Sequence, residues 1–115
     1  MGKKSKHIGK IGWCDKDVLG LPKGHYVFIR RVKNDKCDVN TFTSLERNNG
    51  RFKLDKINYI RNGSIYPIPK NDVTLSKFSG VDKRIIKDIP ISKIQDKGCY
   101  TLKRRHHHYI QKYVK

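Results

Sequence analysis

The chain has 115 residues, 36% of them hydrophobic, and sets 27 lysines and arginines against 10 acids, a formal net charge of +17 at pH 7. Its apolar residues fall in short dense runs, which excludes a disordered chain, and none approaches the roughly 20 residues of a membrane-spanning helix. Charge this unbalanced opposes compaction by self-repulsion, so the composition points to a polyanionic partner: nucleic acid first, an anionic surface or acidic protein second.

Residues 1–7 read as a basic arm with no apolar stretch behind it, unlike a signal peptide, and residues 8–115 as one domain. A short apolar segment runs from Ile8 to Trp13, followed by "CDKDVLGLPKG" (14–24), a turn-rich loop. "HYVFIRRV" (25–32) is β-branched and aromatic, which predicts a strand; "KND" turns, and "KCDVNTFT" (36–43) returns as the second arm of a hairpin. "RNNG" (47–50) is a further turn, and "FKLDKINYI" (52–60) fits a strand or a short helix. Asn62-Gly63 turns into a short segment whose Pro67 and Pro69 confine it to an edge or a kink. "VDKRIIKDIPISKI" (81–94) predicts one or two strands broken at Pro90, and "CYTLKRRHHHYIQKYVK" closes as a short helix or strand. Frequent short strands between turns predict a mainly β domain, a small barrel.

Three candidate chemistries follow. Cys14, Cys37 and Cys99 are widely spaced, with no Cys-x-x-Cys pair and no His-x-x-x-His spacing to complete a zinc site. They predict small core residues in a reducing cytoplasm, and no metal or cofactor. Lys103, Arg104 and Arg105 adjoin His106, His108 and Tyr109, which together describe either a phosphate-attracting surface with an aromatic platform or a solvated basic tail. One of these histidines could act as a general acid or base near neutral pH.

The third lies on the hairpin. Arg30 and Arg31 point to opposite faces of a strand, so only one can serve a given groove. Thr43 and Ser44, at the far end of the partner strand, come level with the start of the first. Hydroxyls and backbone amides there can bind phosphate oxygens, and a nearby arginine can stabilise added negative charge. RNA carries its own nucleophile, the 2′-hydroxyl, so a ribonuclease here needs a base, an acid and charge stabilisation but no metal. The same residues also describe a polar hairpin end on a protein that is polar everywhere.

"GKIGW" (9–13), "HYVFIRRV" (25–32), "DVNTFTSLE" (38–46) and "SGVDKRIIKDIPISKI" (79–94) resemble, in that order, the motifs of the MazF/PemK-type toxin ribonucleases. The resemblance implies an SH3-like barrel with one or two short helices, commonly a homodimer, that cleaves single-stranded RNA without metal and has an antitoxin protein as partner. Thr43 and Ser44 match the family's Thr-Ser, and Arg84, Lys87 and Asp88 fall in the late segment that supplies its arginine and acidic side chains, the register among them open. His25-Tyr26 stands where the family has Arg-Pro, and Thr41-Phe42 where a proline precedes Thr-Ser. The alternatives are a non-catalytic nucleic-acid-binding protein, such as a DNA-transfer or ribosome accessory factor, and an inhibitor of a nucleic-acid enzyme.

Overall fold

A computed structural model describes residues 8–73 and 78–96 together with Leu102, Arg105, His106, His107 and Ile110. The expected mainly β domain with short helices is what forms. In chain order it runs β1 (Ile11–Cys14), α1 (Lys16–Leu19), β2 (His25–Lys33), β3 (Lys36–Ser44), a 3₁₀ turn (Leu54–Lys56) leading into α2 (Ile57–Arg61), and β4 (Ile65–Ile68). A second 3₁₀ turn (Lys70–Asp72), β5 (Ser79–Pro90), a third turn (Ile91–Lys93) and β6 (Gln95–Asp96) complete it. The strands make one antiparallel sheet in the order β4-β5-β3-β2-β1-β6. Pairing among the described residues does not join the edge strands β4 and β6.

Period-two alternation explains the packing. Val27 and Ile29 of β2 face one side with Val39, Cys14, Cys37 and Ile89, covered by Leu19 of α1 and by Ile91 and Ile94. Phe28 faces the other side with Ile11, Phe42, Val81 and Ile68, covered by Val73, Leu102 and Ile110. The apolar run in β2 is thus continuous because the strand is central and both of its faces are buried.

The polar residues of β3 have a structural task. Between Asn40 and Phe42 of β3 the register of β5 slips, from Ile85 back to Val81; between Cys37 and Val39 it slips again, from Ile89 to Ile86. Such bulges leave backbone groups without ladder partners. Asn40, fully buried, donates from Nδ2 to the carbonyls of Asp82 (3.0 Å) and Arg84 (3.2 Å). Asp38 Oδ1 accepts from the amide of Asp88 (3.2 Å), a residue in the left-handed region at φ 61°. A third irregularity, at Arg30 in β2, brings Arg30 Nη1 to Asn40 Oδ1 at 3.1 Å. Strand β3 therefore stitches a bulge on each of its neighbours.

Several expectations are refined. The stretch 14–24 is not all loop, because Lys16–Leu19 turns into a helix that Gly20 ends in the left-handed conformation (φ 70°), burying Leu19. Residues 54–61 take the helical alternative, β4 sits at the edge where its proline belongs, and 79–90 form one strand that stops at Pro90. The basic arm and most of the closing segment lie outside the described residues; of that segment, residues 105–107 are helical.

Candidate nucleic-acid interface

Register places a groove at the end of the sheet where β1 finishes, β2 begins and β3 ends. Trp13 pairs with Tyr26 across β1 and β2, and their rings meet edge to face at 5.0 Å and 73°. The loop into β2 lies flat on the indole because residue 24 is glycine: a Cβ there would stand 2.5 Å from Trp13 Cζ2 and 3.0 Å from the Cys14 carbonyl. Trp13 Nε1 donates to Asp15 Oδ1 at 3.2 Å, which fixes the ring from its outer edge.

His25 follows, and its Nδ1 lies 3.0 Å from the Phe42 carbonyl oxygen. A carbonyl only accepts, so Nδ1 carries a proton, and in the neutral ring Nε2 presents the lone pair. Thr43 and Ser44 close the opposite wall, Ser44 Oγ donating to the Glu46 carbonyl at 2.9 Å. The turn before α2 adds Lys53 and Lys56, and the entry loop adds Lys23. The groove encloses about 470 Å³, and among the described residues no acidic side chain lines it. Nearby Glu46 is buried and held elsewhere, by Lys70 Nζ at 3.0 Å and the Phe78 amide at 2.6 Å. One aromatic wall, two hydroxyls, one imidazole and three ammonium groups suit a base and its phosphate.

Of the residues expected from the sequence, Thr43 and Ser44 line this groove. Arg84 and Lys87 do not. Thr43 pairs with Gly80, so Arg84 lies four residues and Asp88 eight residues further along β5, roughly 13 and 26 Å at about 3.3 Å per residue, somewhat less across the bulges. Arg84 and Lys87 are exposed on a second groove with Tyr59, Ser64 and Lys83; Asp88 lies in a third, at the hairpin tip, with Arg31, Lys33 and Lys36. The five residues proposed together for catalysis are thus spread over three grooves.

Arg30 and Arg31 do part company. Arg31 is exposed at the tip, whereas Arg30 is half-buried on Asn40, and burial pulls its pKa below the ordinary guanidinium value. Lys103, Arg104, His108 and Tyr109 lie outside the described residues. His106 belongs to the interior and not to a phosphate-facing surface. It is 5% exposed, with Nδ1 2.9 Å from Tyr66 Oη and Nε2 2.7 Å from the equally buried Asp72 carboxylate. Arg105, exposed, closes on the same carboxylate, and that hydrogen bond raises its pKa. A buried carboxylate needs partners, and this one takes the arginine and the histidine that the sequence offers side by side.

Sequence reasoning passed over Trp13, His25, Lys53 and Lys56. The signal was present for His25: the hairpin register that puts Thr43 level with the start of β2 puts it level with residue 25. Among the described residues no three histidines, cysteines or acids gather as a metal site, and no helix is long and apolar enough to cross a membrane. Comparison of the chain with protein-family models, curated proteins and solved structures returns no significant match.

Proposed function

We propose that the protein binds single-stranded RNA, with a base against the Trp13–Tyr26 wall and the flanking phosphates on Lys53, Lys56 and Lys23. The observation that carries this reading is a groove with an aromatic wall and, among the described residues, only cations as its charged lining, on a chain of net charge +17. Stacking on an aromatic ring contributes about 1–3 kcal/mol per base, and each neutralised phosphate adds a salt-dependent term. The test is anisotropy of a labelled oligo(U) with the Trp13→Ala and Lys53→Ala/Lys56→Ala proteins. The first should weaken binding roughly 5- to 150-fold at any salt. The second should weaken it mainly at low salt. Equal affinity of both variants and wild type would refute the groove as the site.

The His25 tautomer favours a second reading, metal-independent cleavage of the bound strand. Nε2, with its lone pair, would take the proton of a 2′-hydroxyl; O2′ then bonds to phosphorus as the P–O5′ bond breaks, and the leaving O5′ takes a proton from a lysine ammonium or water. The product ends are a 2′,3′-cyclic phosphate and a 5′-hydroxyl. Thr43 and Ser44, level with His25, would hold the phosphate oxygens, and Lys53 and Lys56 would meet the added charge. On this reading cleavage persists in EDTA, stops with 2′-deoxyribose at the scissile position, and falls by roughly 10²-fold or more in His25→Ala with little change in affinity. A wild type that binds RNA and leaves it whole leaves binding as the function. A toxin role, with an antitoxin protein as partner, belongs to this second reading and rests on the resemblance of the motifs; a cytoplasmic location rests on the three widely spaced cysteines.

A further inference from the structure

The first groove holds about 470 Å³, within the roughly 300–1,000 Å³ of a small-ligand pocket, so it suits one nucleotide and not a strand. The cations, however, do not stop there. Lys56, which lines that groove, places Nζ 5.7 Å from the centroid of the Tyr59 ring. Tyr59, 50% exposed, lines the second groove, of about 620 Å³, with Lys83, Arg84 and Lys87. Lys87 in turn also lines the third groove at the hairpin tip, with Arg31, Lys33 and Lys36. Each groove is therefore joined to the next, the first two through a cation–aromatic contact and the last two through a shared lysine.

We infer that these three grooves form one continuous track for a single RNA strand, the Trp13 groove holding one nucleotide and β5 carrying the following phosphates past Tyr59 to the hairpin tip. The inference rests on the RNA-binding reading and extends it to the length of the substrate. Among the described residues three acids line the second and third grooves, Asp82 in the one and Asp38 and Asp88 in the other, against six cations, Lys83, Arg84, Lys87, Arg31, Lys33 and Lys36. Asp82 accepts from the Arg84 amide at 2.8 Å and Asp38 from the Asp88 amide at 3.2 Å, which holds both carboxylates to the backbone while the surplus of charge stays positive. The Arg84 guanidinium is only loosely paired, 3.8 Å from Asp82 with its side chain 64% exposed, and it can turn to a phosphate at little cost. The bulge that Asn40 stabilises gives the second groove its form: it re-aims the residues of β5 between Val81 and Ile85, Lys83 and Arg84 among them.

The experiment compares the wild type with a Lys83→Ala/Arg84→Ala/Lys87→Ala protein, on labelled oligo(U) of roughly 3 and roughly 12 nucleotides, lengths that bracket the lower part of known single-strand site sizes. All three side chains are exposed, so the fold is expected to survive, and circular dichroism with a thermal melt checks it. The short oligonucleotide should lose at most a few-fold in the variant, because its base on Trp13 and the phosphates on Lys23, Lys53 and Lys56 supply most of its binding. The long one should bind the wild type more tightly than the short one does. In the variant it should lose roughly tenfold or more in low salt, with the slope of log K against log salt reduced by about 2, three phosphates at ~0.7 each. Equal binding of the long oligonucleotide by the two folded proteins would overturn the track and leave the first groove standing. Failure of the wild type to bind either length would overturn the RNA reading itself, and the track with it.

Discussion

Replacing Asn40 by alanine removes three hydrogen bonds at once: two donated to the carbonyls of Asp82 and Arg84, and one accepted from Arg30. Asn40 has no exposed surface, so the two carbonyls are left facing a space that alanine cannot fill with a donor. A buried polar group without a partner costs about 1–3 kcal/mol, and water entering the gap recovers part of that. The expected loss of stability is about 2–4 kcal/mol. For a domain of this size each kcal/mol corresponds to about 4 °C, so the melting midpoint should fall by roughly 8–16 °C. Urea unfolding should give the same loss with an unchanged slope, since the surface exposed on unfolding is nearly the same. Asn40→Leu sharpens the assay: it fills the space but still offers no donor, and should be no better than alanine. If either variant loses less than about 0.5 kcal/mol, the bulge carbonyls are satisfied without Asn40 and the account of β5 fails.

Gly24→Ala drives a methyl group into the Trp13 ring, so it should displace the indole and lower oligo(U) affinity several-fold, at about 1–3 kcal/mol of overpacking; titration of tryptophan emission reads both effects. His106→Ala leaves Tyr66 and the Asp72 carboxylate each without a ring nitrogen, and denaturant unfolding should register a loss of about 2–4 kcal/mol. Burial pushes the thiols of Cys14 and Cys37 up, to about 11 and about 12 from 9.0. In a Cys99→Ser background they should therefore resist a disulfide reagent at pH 8 until the protein is unfolded. The same shifts set a sign. The folded state keeps these protons longer than the unfolded chain, so their stabilisation is complete below pH 9 and declines as pH rises toward 11 and 12, which a pH series of melts would detect.

The β elements were legible because their signals are local. β-branched runs, an Asn-Gly turn, and a proline that tolerates only an edge need no knowledge of what lies across the sheet. The bulges were not legible, since a slip of register is a relation between two strands; Asp38 and Asn40 look like ordinary polar positions until β5 is laid beside them. The hairpin end was half-legible: Thr43 and Ser44 were placed by a tight turn, but residue 25, on the other arm, was read as the start of a strand and not as a side chain. Trp13, Lys53 and Lys56 come from separate elements that only the sheet order brings together. The histidine run misled because charge and aromatic content alone cannot say that His106 faces a buried aspartate; Asp72, thirty-four residues away, decides it.

Trp13 is the chain's single tryptophan, so its emission reports on the groove with no competing signal. Titration of the protein with unlabelled oligo(U), at low and then moderate salt, tests the central claim most directly. Stacking of a base on the indole should quench the emission in a saturable curve whose midpoint moves to higher RNA concentration as salt rises. RNA binding measured in parallel by anisotropy, with tryptophan emission unchanged throughout, would place the strand elsewhere and contradict the account.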